Sequence, residues 1–317
     1  MAGSVRIVEV GPRDGLQNES TRLTVNERHK FVVKLAQTGL KYIEVGAFVS
    51  PKWVPQMNQS GKLVNMLFAD QKKQIIPTSV ILTALVPNKK GMKGALATPI
   101  KEVAVFGACS EEFSLKNINC TIDESFSHFS QVTAMAKKNR IKVRGYLSTA
   151  FGCPYSGHVS MNRVVRLVEK MLKLGIYEVS IGDTMGVATP KQVQQLLKRL
   201  SGRVPFKKLA MHFHDTRGTA LANVLASFEM GIRVFDSSFG GLGGCPYAVG
   251  ASGNLATEDL VYMMEGMRVK TGIDLKALVA IKPWVEKLVK RPLSSHLGQA
   301  GFPTGGGAAS RVWWKFE

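Results

Sequence analysis

The sequence has 317 residues, of which 45% are hydrophobic and 21% are charged, a composition typical of a packed globular protein and not of a disordered chain. It contains 42 Lys and Arg against 23 Asp and Glu, which gives a formal net charge of +19. The basic pairs are scattered without interleaved aromatic residues, so we expect no nucleic-acid partner. No run of about 18 apolar residues occurs, so we expect no membrane span.

The start of the sequence and its cysteines bear on location. The first strand-like run, 5–10, begins almost at the first Met, so we expect no signal or transit peptide if this Met is the true N-terminus. The four cysteines form no CxxC pair and no disulfide-rich framework, as expected under reducing conditions. We therefore expect a cytoplasmic protein.

Strand-like and helical patterns alternate along nearly the whole chain. The predicted strands are 5–10, 42–45, 80–84, 103–106, 142–150, 178–181, 208–214 and 234–238. The predicted helices are 24–39, 122–138, 162–174, 190–200, 219–230 and 257–269. Thr24 with Glu27 three residues later is typical of a helix N-terminus, and Pro190 suits a first helical turn. Gly175 and Gly231 fall where helices end.

Eight strands separated by helices predict a parallel sheet, and the number eight favours a closed (β/α)8 TIM barrel, of the α/β class, over a doubly wound open sheet. The turn after the first strand does not follow the GxGxxG pattern that the open sheet would favour. We predict a catalytic barrel over 1–271, a C-terminal helical extension over 272–300 and a flexible, glycine-rich tail over 301–317.

Polar residues recur where the predicted strands end, which is where the chemistry of such a barrel sits. His212 and His214 are two apart on the seventh strand, so both imidazoles share one face and can bind one ion. Asp14 follows the first strand and Asn254 the eighth, and each can add an oxygen ligand. The structural alternative is a helix cap for Asp14 and a turn residue for Asn254. This donor set without thiolate predicts Mg²⁺ or Mn²⁺, with Zn²⁺ or Co²⁺ as alternatives.

Two further residues near strand ends have both a structural and a chemical interpretation. Arg13 could form an ion pair with Glu44 or donate to a developing oxyanion, and both hold if Glu44 orients Arg13 from behind. Cys245 lies in the glycine-rich loop after the eighth strand, where its thiol is either catalytic or incidental.

Distinctive motifs follow the first, second, seventh and eighth predicted strands. They read GPRDGLQNE at 11–19, IEV at 43–45 with FVSPKWVPQM at 48–57, HFHD at 212–215, and GGCPYA at 243–248 with GASGNLATED at 250–259. These motifs closely resemble those of the 3-hydroxy-3-methylglutaryl-CoA lyases. Condensing synthases of the same superfamily share the Arg-Asp-Gly and His-x-His elements but lack the GGCPYA loop.

The resemblance implies cleavage of 3-hydroxy-3-methylglutaryl-CoA to acetoacetate and acetyl-CoA, in leucine breakdown and ketone-body formation. It also implies a divalent cation held by Asp14, His212, His214 and Asn254, with Arg13 polarising the thioester carbonyl. A homodimer is expected by analogy with the family. The sequence lacks the C-terminal cysteine of animal mitochondrial members, so a bacterial, cytosolic enzyme fits better.

The implied chemistry is a reverse Claisen reaction that Asp14 or His212 starts by removing the hydroxyl proton. Arg13 would stabilise the enolate and Cys245 would protonate its carbon. The remaining expected contacts shape the pocket around the acyl group (Gln17, Arg144, Asp183, Thr184) or, as weak candidates, meet the CoA phosphates (Lys116, Asn117). The alternatives are a condensing synthase, which would consume acetyl-CoA and a 2-oxo acid, and a non-catalytic metal-dependent binding protein, which would turn over neither substrate.

Overall fold

The structure, a computed structural model, describes residues 3–243 and 253–303. Its centre is a closed barrel of eight parallel strands in sequence order, which confirms the (β/α)8 barrel and excludes the open sheet. The strands are β1 (Arg6–Glu9), β2 (Tyr42–Ala47), β3 (Ile81–Leu85), β4 (Glu102–Ala108), β5 (Lys142–Ser148), β6 (Glu178–Asp183), β7 (Leu209–Phe213) and β8 (Val234–Ser237). Pairing of β8 with β1 closes the barrel, with Glu9 opposite Ser237.

Helices surround the barrel. They are α1 (Val25–Ala36), α2 (Ser60–Lys72), α3 (Lys89–Leu96), α4 (Glu111–Ile118), α5 (Ile122–Lys138), α6 (Met161–Lys173), α7 (Pro190–Leu200), α8 (Ala220–Glu229), α9 (Thr257–Gly266), α10 (Leu275–Ala280), α11 (Lys282–Val289) and α12 (His296–Ala300). The six predicted helices correspond to α1 and α5–α9. In the described ranges, no helix is both long enough and apolar enough to cross a bilayer.

The predicted helix boundaries have the expected chemistry. Thr24 caps α1, because its hydroxyl accepts from the backbone N–H of Glu27 while the Glu27 carboxylate accepts from the backbone N–H of Thr24. Pro190 is the first residue of α7. Gly175 and Gly231 follow α6 and α8 with φ of 86° and 107°, which a glycine adopts without a steric penalty.

The predicted helical extension contains α10, α11 and α12, which pack back onto the barrel. Asp259 in α9 joins α12 to the barrel, since its carboxylate accepts from the backbone N–H groups of His296 (2.9 Å) and Leu297 (2.8 Å). Arg291 forms an ion pair with Glu19 at 2.5 Å, near the barrel mouth. Of the predicted flexible tail, 304–317 lies outside the described residues.

Candidate metal and active site

Residues from three segments of the chain meet at the C-terminal mouth of the barrel. Asp14 lies in a single π-helical turn, Gly11–Gly15, directly after β1. His212 lies in β7 and His214 follows it, while a bridge pairs His214 with Asn254. One ligand atom each from Asp14, His212 and His214 lies within 4.8 Å of the other two. The structure therefore brings the predicted metal ligands together.

The two histidines share one face because of the alternation of a β-strand. Their ring centroids are 5.4 Å apart. Phe213 between them points to the other face, where it is buried and packs near Phe151. The His-x-His spacing at the end of β7 thus directs both imidazoles toward one point.

Asn254 is tied to Asp14. Its Nδ2 donates to Asp14 Oδ2 at 2.9 Å and to the backbone carbonyl of Leu242 at 3.1 Å. Its Oδ1 and the Nδ1 of His214 are buried atoms that find no hydrogen-bond partner among the described residues. Buried polar atoms are almost always satisfied, so these two unpaired atoms indicate that a further group belongs at the site.

The protonation states of His214 and Asp14 suit a cation. Burial, together with neighbouring His212, lowers the pKa of His214 to about 4, so this imidazole is neutral near pH 7. Burial opposes ionisation of Asp14, but Arg13 and His212 outweigh it and lower the pKa of this carboxyl. Neutral imidazole and carboxylate are the forms that bind metals. These residues fit a divalent cation.

Arg13 is nearly buried beside the ligands, and carboxylates flank it on two sides. Its Nε donates to Glu44 and its Nη1 donates to Asp14 Oδ1 at 2.6 Å. Glu44 is itself held by the hydroxyl of Tyr146, which donates to its Oε2 at 3.0 Å. The two sequence interpretations of Arg13 coexist in this geometry, since Glu44 braces the guanidinium from behind while Arg13 lines the cavity.

The cavity at the mouth holds about 140 Å³ of free space. Its walls include Arg13, Asp14 and both histidines, and the predicted contacts Gln17, Thr184 and Asn117. The predicted Lys116 is exposed, with its Nζ 3.9 Å from the centroid of the Tyr155 ring. Cys245 lies outside the described residues.

Arg144 and Asp183 do not line the cavity. Arg144 is the third residue of β5, too early in the strand to reach the mouth, and it is fully enclosed between Glu178 (2.8 Å) and Asp236 (2.7 Å). The carboxylate of Asp183 accepts from the backbone N–H groups of Val187 (3.1 Å) and Ala188 (2.8 Å), so it shapes the loop after β6. Both side chains make contacts within the protein, and the substrate contacts expected of them stay predictions.

Asp236 is a site residue that sequence reasoning missed. It lies opposite His212 in the strand register, with Oδ2 3.4 Å from His212 Nδ1. Ser180 donates to the same oxygen at 2.5 Å. Burial opposes its charge, but Arg144 and His212 lower the pKa of Asp236 to about 2. An aspartate in the middle of a buried strand was the available signal, because such a charge requires a partner.

Comparisons with known proteins agree with this site. The family model described as HMGL-like matches residues 4–285. The chain is 50% identical over 275 residues to a 3-hydroxy-3-isohexenylglutaryl-CoA/hydroxymethylglutaryl-CoA lyase of Pseudomonas aeruginosa, covering 87% of this chain and 89% of the relative. It is 49% identical over 296 residues to the mitochondrial hydroxymethylglutaryl-CoA lyase of Pongo abelii, covering 93% and 89%.

A solved structure extends the agreement to three dimensions. The crystal structure of hydroxymethylglutaryl-CoA lyase from Pseudomonas aeruginosa superposes with a TM-score of 0.89 at 45% identity, covering 95% of this chain and 98% of that one. The matched range holds Arg13, Asp14 and both histidines. The chain therefore belongs to the HMGL-like family.

Proposed function

We propose that the protein cleaves 3-hydroxy-3-methylglutaryl-CoA to acetoacetate and acetyl-CoA by a metal-assisted reverse Claisen reaction. The observation that carries this proposal is the cavity in which the guanidinium of Arg13 lies beside the cluster Asp14, His212 and His214. Such a cavity offers a fixed guanidinium donor for an enolate oxygen next to a site for a cation. The lyase relatives, which are 49% and 50% identical to this chain, favour cleavage over condensation by a synthase.

Asp14, His212, His214 and Asn254 would hold the cation. Oxygen and imidazole donors without thiolate favour Mg²⁺ or Mn²⁺. When bound, the ion supplies Lewis acidity that lowers the pKa of the substrate's tertiary hydroxyl. The proton of that hydroxyl passes to Asp14 or His212, the two candidate bases on this wall of the cavity.

Arg13 stabilises the charge that develops on the thioester oxygen as the carbon–carbon bond breaks. Its orientation is set before substrate arrives, because Nε and Nη1 are engaged by Glu44 and Asp14. A donor fixed in this way needs no reorganisation during the reaction. Gln17 and Thr184 line the space for the acyl group. The sequence resemblance supports Cys245 as the acid that protonates the enolate carbon.

The remaining parts of the proposal concern context. The lyase relatives support an acyl-CoA substrate. A place in leucine breakdown and ketone-body formation is what the sequence resemblance implies for this reaction. A homodimer and a cytoplasmic location stay predictions, which sedimentation and cell fractionation can measure.

The test is to incubate the purified protein with the CoA thioester and Mg²⁺ or Mn²⁺ and to measure acetoacetate and acetyl-CoA. We expect both products in equal amounts, with no activity in His214→Ala. Activity should be unchanged in His128→Gln, because His128 lies on α5 and does not line the cavity. Consumption of acetyl-CoA with a 2-oxo acid would instead identify a synthase. Metal binding without either turnover would identify a binding protein.

A further inference from the structure

A fully buried carboxylate outside the ligand cluster joins three segments of the site. Glu9 is the last residue of β1 and, within the described residues, has no Lys, Arg or His as an ion-pair partner. Its Oε1 accepts from the backbone N–H groups of Gly11 (2.7 Å) and Phe239 (2.8 Å). Its Oε2 accepts from the hydroxyl of Thr257 at 2.6 Å. One side chain thus holds β1, the segment after β8 and the start of α9.

Each of these three segments leads to the metal site. Gly11 begins the turn that carries Asp14. Phe239 begins the short helical turn that ends before Leu242, whose carbonyl accepts from Asn254. Thr257 lies three residues after Asn254, and its backbone N–H donates to Ser238 at 3.1 Å. The hydrogen bond between Asn254 and Asp14 then connects the segment before α9 back to the turn after β1.

The segments around Glu9 interlock without spare room. A Cβ at Gly11 would lie 2.6 Å from Glu9 Oε1. A Cβ at Gly15 would lie 2.8 Å from both the Cβ of Leu242 and the Oγ of Ser238. Because these contacts leave no room for even one added carbon atom, the position of one segment constrains the position of the next.

An apolar side chain at this position would leave the backbone N–H groups of Gly11 and Phe239 buried without acceptors, which is costly, while the Thr257 hydroxyl would keep its contact with Ser237. Burial raises the pKa of Glu9 to about 7 against the effect of its three donors. A buried acid without a cationic partner costs free energy unless hydrogen bonds compensate for its desolvation. The three contacts of Glu9 therefore indicate a role in geometry that a hydrocarbon cannot take.

We propose that Glu9 is a positioning residue for the metal centre, which sets the separation of Asp14 and Asn254 through Gly11, Phe239 and Thr257. This inference rests on the metal-dependent function proposed above. Glu9 itself touches neither cation nor substrate. Removal of its carboxylate should therefore make the ligand positions less well defined. It should lower the affinity for the cation more than it lowers the stability of the fold.

The experiment measures Mn²⁺ affinity by titration, together with the Tm of the metal-free protein and kcat and KM. Glu9→Ala removes all three contacts, and we expect Mn²⁺ to bind at least about tenfold more weakly, as is typical when a group that orients metal ligands is lost. Glu9→Gln keeps the Oε1 acceptor and presents an amide to Thr257, whose hydroxyl can accept, so affinity should return to within a few-fold of the parent.

The matched control is Glu102→Ala. Glu102 is also a buried carboxylate, and it accepts from the hydroxyl of Tyr177 at 2.5 Å, but it is the first residue of β4, at the opposite end of the barrel. We expect it to lower the Tm without changing Mn²⁺ affinity. If Glu9→Ala binds Mn²⁺ as the parent does, or if Glu102→Ala weakens binding equally, the positioning role is wrong.

If Glu9→Ala does not fold, Glu9→Asp replaces it, because a carboxylate one methylene shorter cannot reach Phe239 and Thr257 together. A Glu9→Asp variant that binds Mn²⁺ as tightly as the parent then overturns the inference. A parent protein that binds Mn²⁺ without cleaving the thioester overturns the proposed function alone. A parent that does not bind Mn²⁺ overturns both.

Discussion

Arg13 is a buried guanidinium balanced by two carboxylates, with its remaining face toward the cavity. Glu44 and Asp14 neutralise it in the free protein. Because two carboxylates flank Arg13, its guanidinium attracts an anionic group of the bound substrate only weakly. The oxyanion that forms in the transition state, by contrast, meets a hydrogen-bond donor that is already in place. The contribution of Arg13 should therefore appear in turnover.

Arg13→Gln should lower kcat by about 10²–10³, the usual loss when one donor to a developing oxyanion is removed. Mn²⁺ affinity should change far less, since the four proposed ligands remain. Steady-state kinetics with a metal titration in each variant measures both effects. An equal loss of bound metal would make Arg13 a structural support for Asp14.

Cys245→Ala should fold and keep its cation, yet lose activity by about 10²–10⁴, the usual contribution of a positioned proton donor. The thiol is not among the proposed ligands, and Mg²⁺ or Mn²⁺ prefers oxygen to sulfur. Turnover and Mn²⁺ titration test this on one preparation. Activity within a few-fold of the parent argues against the acid role, and loss of metal would make Cys245 a ligand.

At the scale of elements, the inner faces of β5, β6 and β8 carry a buried ion network below the cavity. Arg144 is shared between Glu178 and Asp236, and Asp236 in turn lies against His212. The network connects strand packing to the orientation of a metal ligand. It also explains why a charged residue in the middle of β5 is held inside the protein.

Arg144→Met should lower the free energy of unfolding by about 3–5 kcal/mol, because two buried carboxylates each lose a cationic partner. Among the cationic partners in the described residues, Glu178 then keeps only Arg6 and Asp236 keeps only His212. KM for the thioester should remain near the parent value at temperatures where the variant is folded. Urea denaturation and steady-state kinetics measure the two quantities. A raised KM with parent stability would restore the substrate contact expected from the sequence.

Glu258 in α9 introduces a pH dependence. Both of its oxygens accept from the backbone N–H of Gly240, at 2.8 and 3.0 Å, and burial raises its pKa to about 8. Since the folded state then binds this proton more tightly than the unfolded chain, the free energy of unfolding falls as pH rises from about 5 to 8.

Glu258→Gln removes this titration and should flatten the fall in Tm of the metal-free protein over that range. Each pKa unit between the folded and unfolded states corresponds to about 1.4 kcal/mol. Thermal denaturation of both proteins from about pH 5 to pH 8 tests the sign. Parallel curves would show that Glu258 does not titrate in this window.

At the scale of the whole molecule, the proposed ligands lie in the turn after β1, at the C-terminal end of β7 and in the segment after β8. The three strands β7, β8 and β1 pair side by side where the barrel closes. A cation that bridges them binds only the folded protein. Saturating metal should therefore stabilise the entire fold, by about 2.7 kcal/mol at a hundredfold excess over Kd.

Chelation should lower the Tm by several degrees, and Mn²⁺ should restore it. His214→Ala serves as the control, since it should lack the metal-dependent change while His128→Gln keeps it. Calorimetry with and without chelator measures the shift. A Tm that changes with neither metal nor chelator would show that the cluster holds no cation.

Local pattern was enough to predict most of the architecture. The strand periodicity, the Thr24 cap and the helix-ending glycines were visible because each depends on residues a few positions apart. Three helices, α2, α3 and α4, were not predicted. Before α2 stands Gln59 in a left-handed conformation with no capping side chain, and α3 contains two glycines, so packing and not local propensity stabilises both.

The sequence by itself determined the fold class, the His-x-His pair and the motif resemblance, because strand alternation and short motifs are local properties. Only the tertiary structure decided that Arg144 faces Asp236, that Asp183 holds its own loop and that Glu9 joins three segments. Those facts depend on how far along its strand a residue lies relative to the mouth and on which residue stands opposite it. Closure of the barrel sets both, and no local pattern encodes it.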